Sequence, residues 1–187
     1  MQKGVTVWLT GLSGAGKTTI SRLVETELSK SGFRVEVLDG DEIRQYLSKE
    51  LGFLKEDRQK NIERAAYVAK LLTRNDVIVL ASFISPYQKL REYCRREIGS
   101  FIEVYVKCSL EECIRRDVKH LYKKALNGEI QHFTGISDTF EEPENPDIIV
   151  QTDRETPAES ASRILDYLIR RQYIIYDSQS VDGKSSL

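Results

Sequence analysis

The chain has 187 residues, of which 40% are hydrophobic and 30% are charged, and its formal net charge is −1. A charge this close to zero gives no overall field for nucleic acid, and no apolar run reaches the roughly 18 residues of a membrane span, so we expect neither kind of partner. The length suits one α/β domain that buries roughly 70% of its unfolded surface.

The first predicted element joins a short strand to a glycine-rich loop. The run from Val5 to Thr10 predicts a buried strand, and residues 11–18 (the P-loop) fit G-x-x-x-x-G-K-[ST] directly before a helical pattern over 17–31. The glycines let backbone N–H groups turn toward phosphate oxygens, and the helix start adds its positive dipole end. We expect Lys17 to reach the β- and γ-phosphates of ATP and Thr18 to hold Mg²⁺. The predicted nucleotide-binding residues here are Gly11, Leu12, Ser13, Gly14, Ala15, Gly16, Lys17, Thr18 and Thr19.

The second predicted strand ends in two carboxylates. Residues 34–38 predict the strand, and an Asp-Gly-Asp sequence follows it at the edge where open parallel sheets bind ligands. Asp39 or Asp41 could supply the carboxylate that an acceptor hydroxyl needs near bound phosphates, although the same tripeptide also suits a plain turn.

The remaining elements continue the alternation of strands and helices. The run 76–81 is almost continuously apolar, which is typical of a parallel strand buried on both faces, and Ser85 follows its end. The irregular stretch 128–146, preceded by the basic stretch 115–124, predicts a lid or binding loop; residues 115–146 are called the lid region below. The other predicted elements are helices over 42–49, 57–74 and 87–97 and from 109 and 156, and strands over 101–106 and 147–152.

This order predicts an α/β fold with a five-stranded parallel sheet and helices on both faces. With its P-loop and lid segment, the chain is expected to have a P-loop nucleoside triphosphate hydrolase-like fold of the kinase type. We expect a single domain over 1–176 and a polar, disordered tail over 177–187. The carboxyl ends of the first three strands would bring the P-loop, Asp39, Asp41 and Ser85 to one crevice.

The cysteines favour a reducing compartment. Cys94, Cys108 and Cys113 are odd in number and lack metal-type spacing, and no signal-peptide pattern precedes Val5, so we expect a cytoplasmic protein.

Several basic and aromatic residues are ambiguous when taken alone. Arg44, Arg58 and Lys119 are scattered and could be solvated surface charges, and Phe53 and Phe133 could be core residues.

Six blocks, in order along the chain, resemble the adenylylsulfate kinase (APS kinase) family. The blocks are GLSGAGKTT (11–19), LDGDEIR (38–44), LGFLKEDRQKNI (51–62), FISPY (83–87), RDVKHLYKKA (116–125) and FTGISDTFEEPENP (133–146). The resemblance covers nearly all of 4–175 and implies that ATP, with Mg²⁺, phosphorylates the 3′-hydroxyl of adenosine 5′-phosphosulfate (APS) to give PAPS and ADP. It further implies a homodimer, and we expect a separate ATP sulfurylase to supply APS, because the chain has no room for that domain.

The resemblance also implies roles for the ambiguous residues. Phe53 and Phe133 would stack on the two faces of the APS adenine, and Arg58 would fork onto the phosphosulfate oxygens. The implied substrate-binding set is Asp41, Arg44, Phe53, Arg58, Asn61, Ile84, Ser85, Lys119 and Phe133. Glu155 and Ala158, at the start of the last helix, would border the ATP adenine.

The implied catalytic set is Lys17, Asp39, Asp41, Ser85 and Arg116. The family labels Ser85 as a phosphoserine intermediate, but no activating base is evident, so we favour direct transfer in which Asp41 orients or deprotonates the 3′-hydroxyl. Arg116 would stabilise the moving phosphoryl charge as the lid region closes.

The sequence departs from the family pattern mainly in the lid region. His120 and His132 stand where glycine is usual, which bears on lid geometry and affinity more than on reaction type. The two histidines could suggest a metal pair, although histidines in a basic segment are commonly solvated. The other departures are Gln131 for Lys, Thr139-Phe140 for Pro-Tyr and Glu63 for Arg.

Three alternative functions differ in the sequence features that they require. A different small P-loop kinase, acting on a nucleoside monophosphate or a small metabolite, would share the donor site. A GTPase-type switch needs an N-K-x-D sequence, which the chain lacks. A degenerate, non-catalytic homologue is disfavoured because Lys17, Thr18, Asp41 and Ser85 are all in place.

Overall fold

The structure is a computed structural model that describes residues 1–176. A five-stranded, fully parallel sheet of order β2-β3-β1-β4-β5 forms its centre. The strands are β1 (Val5–Thr10), β2 (Val35–Asp39), β3 (Ile78–Ser82), β4 (Phe101–Lys107) and β5 (Ile148–Gln151). The helices are α1 (Lys17–Lys30), α2 (Gly40–Leu47), α3 (Lys55–Thr73), α4 (Gln88–Ile98), α5 (Leu110–Arg116), α6 (Leu121–Leu126) and α7 (Pro157–Arg170).

The predicted fold class is confirmed, and every predicted strand is present within two residues of its expected ends. The sequence patterns did not predict α6, a short helix in the basic part of the lid region. The structure has no helix or strand between α6 and β5, in agreement with the irregular stretch expected there. The expected tail over 177–187 lies outside the described residues.

The sheet is covered on both faces, which explains why its central strands are apolar at every position. All six residues of β1 are buried. Alternate side chains point to opposite faces, so Val7 and Leu9 join the core under α1 and α7, whereas Trp8 joins the core under α3 and α4. No helix within residues 1–176 has the length and apolar character needed to cross a bilayer.

Side-chain caps mark the starts of the two helices that follow β4 and β5. Ser109 accepts a hydrogen bond from the Glu112 N–H at the start of α5. Thr156 and Glu159 form a reciprocal capping box, with Pro157 in the first turn of α7. These caps orient the segments that lead away from the carboxyl edges of β4 and β5, the side of the sheet on which the candidate site lies.

Candidate active site

The P-loop turns tightly against the neighbouring strand β4. A side chain at Gly11 would place its Cβ only 2.4 Å from the carbonyl oxygen of Val106, so this position excludes every larger residue. Gly16, which precedes α1, has φ of 99°, a left-handed conformation that glycine adopts without steric cost. The turn therefore directs backbone groups and the start of α1 toward one point, as a phosphate-binding loop requires.

Lys17 is partly buried at that point and folds back onto the loop. Its Nζ donates hydrogen bonds to the carbonyl oxygens of Gly11 at 2.9 Å and Leu12 at 2.7 Å. Burial lowers the pKa of the Lys17 amine from 10.5 to about 8. The protonated amine is thus poorly solvated without a ligand, and an approaching phosphate anion would stabilise its charge.

Asp39 connects the starts of two helices. One carboxylate oxygen accepts a hydrogen bond of 2.8 Å from the Thr18 hydroxyl, and the other caps α2 by accepting from the Asp41 N–H at 2.9 Å. Thr18 and Asp39 thus bring hydroxyl and carboxylate oxygens together beside the phosphate-binding turn. Oxygen groups of this kind are what Mg²⁺ selects, so the residues present fit that ion.

Ser85 lies in a buried chain of hydrogen bonds. Its Oγ accepts from Trp8 Nε1 at 3.0 Å and donates to Thr10 Oγ1 at 2.9 Å, and Thr10 in turn donates to the carbonyl oxygen of Ile84 at 2.7 Å. Ser85 also has a positive φ of 38°. Its hydroxyl is therefore held in place by Trp8 and Thr10, and neither of these partners is a carboxylate or an imidazole that could act as a base.

Phe53 and Phe133 differ in exposure. Phe53 is 54% exposed and has the Arg44 guanidinium 4.6 Å from its ring centre. Phe133 is buried and packs edge-on against Tyr122 at 5.0 Å. Because more than half of Phe53 is exposed, a flat ligand could cover its ring by displacing a neighbouring guanidinium group such as that of Arg44.

Arg58 links the two segments that carry these aromatic rings. Its side chain donates to the carbonyl oxygen of Phe53 at 3.0 Å and to that of His132, in the lid region, at 2.6 Å. It also lies 3.7 Å from a carboxylate oxygen of Asp138. Arg58 is therefore part of the wall of the site and, in this conformation, holds the lid region against the start of α3.

Two further ion-pair or hydrogen-bond contacts tie the lid region to the rest of the site. Lys119 forms an ion pair with Asp41 across the mouth of the crevice. The Arg116 guanidinium donates hydrogen bonds to Thr152, at 2.6 Å to the carbonyl oxygen and at 3.2 Å to the hydroxyl oxygen. Arg116 also forms an ion pair with Glu112. For Arg116 to meet a transferring phosphoryl group, it would exchange some of these contacts.

The opposite end of the lid region is fastened by residues that sequence reasoning missed. The Glu141 N–H donates to the Pro86 carbonyl at 2.8 Å, and the Tyr87 hydroxyl donates to Asp138 at 2.8 Å. The buried Arg91 guanidinium donates to the carbonyl oxygens of Ser85 and Glu141, each at 2.8 Å. Arg91 therefore positions the Ser85 turn and the end of the lid region together.

The sequence does contain a signal for Arg91. It shares the buried face of α4 with Cys94 and Ile98, at helical spacings of three and four residues. Its Nε lies 2.8 Å from the carboxylate of Glu103, which is also buried. An arginine in the apolar stripe of a helix is therefore a sequence signal for a buried acidic partner, which here is Glu103 of β4.

These elements enclose a cavity of about 820 Å³, which the P-loop, β2, β3, α3 and the lid region line together. The expected site residues that line it are Ser13, Gly14, Gly16, Lys17, Thr18, Thr19, Asp39, Asp41, Arg44, Phe53, Arg58, Asn61, Ile84, Ser85, Arg116, Lys119 and Phe133. Those that do not are Gly11, Leu12, Ala15, Glu155 and Ala158. Gly11, Leu12 and Ala15 belong to the P-loop but lie on its side away from the cavity.

Glu155 has a structural set of partners. Its carboxylate accepts from the Gln151 N–H at 3.0 Å, from the Ser160 hydroxyl at 2.8 Å and from Arg163 at 3.0 Å. Pro157, which lies in the range 155–158 expected to border the ATP adenine, lines the cavity near this position, as does Thr152, which sequence reasoning did not single out.

Comparison with known proteins agrees with this geometry. The sequence model of the family described as Adenylylsulphate kinase matches residues 3–151. Adenylyl-sulfate kinase of Halothermothrix orenii is 60% identical over 173 residues, which are 92% of this chain and 94% of that protein.

Two solved structures extend the comparison. An APS kinase of Mycobacterium tuberculosis, in complex with AMPPNP and APS, has a TM-score of 0.87 at 41% identity, covering 90% of this chain and 99% of that one. A hexameric APS kinase from Thiobacillus denitrificans has a TM-score of 0.72 at 31% identity, covering 93% of this chain and 30% of that one.

Proposed function

The chain belongs to the adenylylsulphate kinase family, and on that premise we propose that its crevice transfers the γ-phosphate of ATP to the 3′-hydroxyl of APS, giving PAPS and ADP. The observation that carries this proposal is that one cavity is lined both by the P-loop and by the Phe53–Phe133 region. A donor triphosphate and an acceptor nucleotide could therefore meet in a single space. The Mycobacterium tuberculosis relative, whose complex contains AMPPNP and APS, supports the same pairing.

At the donor end, the P-loop N–H groups and Lys17 would bind the phosphates. The Lys17 amine would exchange its two carbonyl partners for phosphate oxygens, and its charge would then be stabilised by the triphosphate. Thr18 and Asp39 would hold Mg²⁺, which supplies charge neutralisation on the phosphates when bound.

At the acceptor end, the exposed ring of Phe53 would stack on the APS adenine, with Phe133 on the other side of the base. Arg44, Arg58 and Lys119 bring positive charge to the same region, which suits the phosphosulfate group. Stacking would fix the plane of the base and the cationic side chains would fix the opposite end of the nucleotide.

Transfer would be direct. Asp41 would accept a hydrogen bond from the 3′-hydroxyl, orienting it in line with the γ-phosphate and taking its proton as the new bond forms. Lys119, which pairs with Asp41 in this structure, would move onto the substrate side as APS enters. Ser85 would position groups and remain unmodified, because its hydroxyl already donates to Thr10 and accepts from Trp8. Arg116 would stabilise the charge on the moving phosphoryl group.

The proposal extends to the surroundings of the reaction. We propose that this chain forms a homodimer, and the hexameric Thiobacillus denitrificans relative supports self-association in the family. We also propose that a separate ATP sulfurylase supplies APS, and that the protein works in the cytoplasm as a single domain over 1–176.

Coupled measurement of ADP release tests the proposal. We expect rapid release with APS and little with AMP, shikimate or gluconate. Lys17→Ala and Asp41→Ala should lose turnover, whereas Lys89→Ala, which changes an exposed lysine outside the cavity, should not. Release with AMP but not with APS would contradict the proposal.

A further inference from the structure

Three buried polar atoms in the walls of the cavity have no hydrogen-bond partner. Apart from the ion-paired Arg91 and Glu103, the buried side-chain atoms without a partner within residues 1–176 are those of Ser48, Asn61, Ser82 and Thr134. Asn61, Ser82 and Thr134 line the cavity, and Ser48 does not. Buried polar groups are nearly always paired in folded proteins, so orphaned groups concentrated around one cavity indicate that a ligand supplies the missing partner.

The sheet register locates Ser82 within this cavity. Ser82 is the last residue of β3, and it pairs with Asp39 of β2 on one side and Leu9 of β1 on the other. Two residues before each of them, Leu80, Val37 and Val7 belong to the core under α1. Because side chains two positions apart in a strand lie on the same face, Ser82 also lies on the α1 face of the sheet.

Asp39 and the P-loop then define what faces Ser82. The Asp39 carboxylate, next to Ser82 across the sheet, already contacts Thr18 at the start of α1. Gly40, which begins α2, approaches so closely that a side chain there would put its Cβ 3.1 Å from the Ser82 carbonyl oxygen. Ser82 therefore ends the strand that lies between β2, which leads directly into α2, and β1, which leads through the P-loop into α1. Because the Asp39 carboxylate is adjacent to Ser82, the ligand chemistry favoured at this place is a phosphate accompanied by Mg²⁺.

We propose that the Ser82 hydroxyl is a further binding group of the donor site and donates a hydrogen bond to the terminal phosphate region of the Mg²⁺-bound nucleoside triphosphate. This inference rests on the proposed function and adds a residue to its donor end. The hydroxyl can turn about a single side-chain bond, which lets it direct its proton toward a phosphate oxygen placed beside it. In the unliganded protein it is a buried donor without a partner, and such a donor disfavours the folded state until the nucleotide arrives.

A role in binding and a role in structure predict opposite effects on stability. If Ser82 stabilised the fold, Ser82→Ala would lower the melting temperature of the unliganded protein. On our proposal the unliganded melting temperature stays the same or rises, because an unsatisfied polar group is removed, and only the increase on adding nucleotide becomes smaller. Ser48→Ala is the matched control, since Ser48 also carries a buried, unpartnered hydroxyl but lies outside the cavity.

Calorimetric titration of the full chain with AMPPNP plus Mg²⁺, and with ADP in the absence of metal, completes the test. We expect Ser82→Ala to weaken AMPPNP–Mg²⁺ binding by about tenfold or more, the usual effect of losing a hydrogen bond to a charged group, and to leave metal-free ADP binding unchanged. Ser48→Ala should bind both ligands like the unaltered protein. Equal affinity of Ser82→Ala and the unaltered chain for AMPPNP–Mg²⁺, or an equal loss for metal-free ADP, would overturn the inference. Failure of the unaltered chain to bind AMPPNP–Mg²⁺ would instead count against the donor site itself.

Discussion

Truncation of Phe53 should separate acceptor binding from folding. The ring is 54% exposed in the unliganded protein, so Phe53→Ala removes only about half of the 1.5–3 kcal/mol that a fully buried phenylalanine contributes, a cost of about 1 kcal/mol in the free energy of unfolding. Stacking of a base on an aromatic ring contributes about 1–3 kcal/mol. We therefore expect the KM for APS to rise about 5- to 150-fold, because each 1.4 kcal/mol corresponds to a factor of ten.

Steady-state ADP release, with APS and ATP varied in turn, provides the assay. The KM for ATP should change little in Phe53→Ala, since the P-loop does not contact this ring in our account. Tyr46→Ala is the matched control, because Tyr46 is an exposed aromatic residue of α2 that does not line the cavity. An unchanged KM for APS, or an equal rise in the KM for ATP, would refute the stacking argument. Phe133→Ala is a poorer probe, because Phe133 packs in the main core and its loss would cost about 3–5 kcal/mol of stability.

Three further predictions concern charge, lid anchoring and backbone conformation. Folding lowers the pKa of Lys17 from 10.5 to about 8, so between pH 8 and pH 10.5 the unfolded chain binds more protons than the folded protein. Denaturation at several pH values should therefore show that the free energy of unfolding of the unliganded protein rises with pH in this window. Titration with ATP should show that affinity falls over the same window, because Lys17 loses its charge. Arg91→Met leaves the buried Glu103 carboxylate with only the more distant Arg95, and it removes the hydrogen bond to the Ser85 carbonyl oxygen. Denaturant unfolding should therefore show that the free energy of unfolding falls by about 3–5 kcal/mol. Arg91→Lys should recover only part of this loss. His120→Gly removes a non-glycine residue from a left-handed conformation with φ of 53°, so urea unfolding should show a gain of about 0.5–1 kcal/mol; a loss would contradict the assigned backbone strain.

The fold and the position of the P-loop at one edge of the sheet were predictable because their signals are local. The strand, loop and helix of the P-loop carry their pattern within a few residues, and the apolar run of β3 shows that both of its faces are buried. Parallel strands then bring Asp39 and Ser85 to the same edge without any knowledge of side-chain packing.

The parts that could not be predicted depend on contacts between distant residues. The Ser85 hydroxyl is held by Trp8 and Thr10, more than seventy residues earlier in the chain, and no local pattern records that pairing. The role of Glu155 beside the ATP adenine stays a prediction: its carboxylate accepts from backbone and side-chain donors around the start of α7, and the nearby residues that line the cavity are Thr152 and Pro157. A carboxylate close to a helix start can serve either purpose, and only the three-dimensional arrangement distinguishes them.

The most direct test of the account is the identity of the phosphorylated product, followed by ³¹P NMR during turnover of ATP with APS. We predict a new phosphomonoester signal on the 3′-oxygen of a nucleotide that keeps its phosphosulfate group, appearing in step with ADP and absent in Asp41→Ala. Release of inorganic phosphate without that nucleotide, or phosphate that accumulates on Ser85 and does not pass to APS, would contradict direct transfer in this crevice.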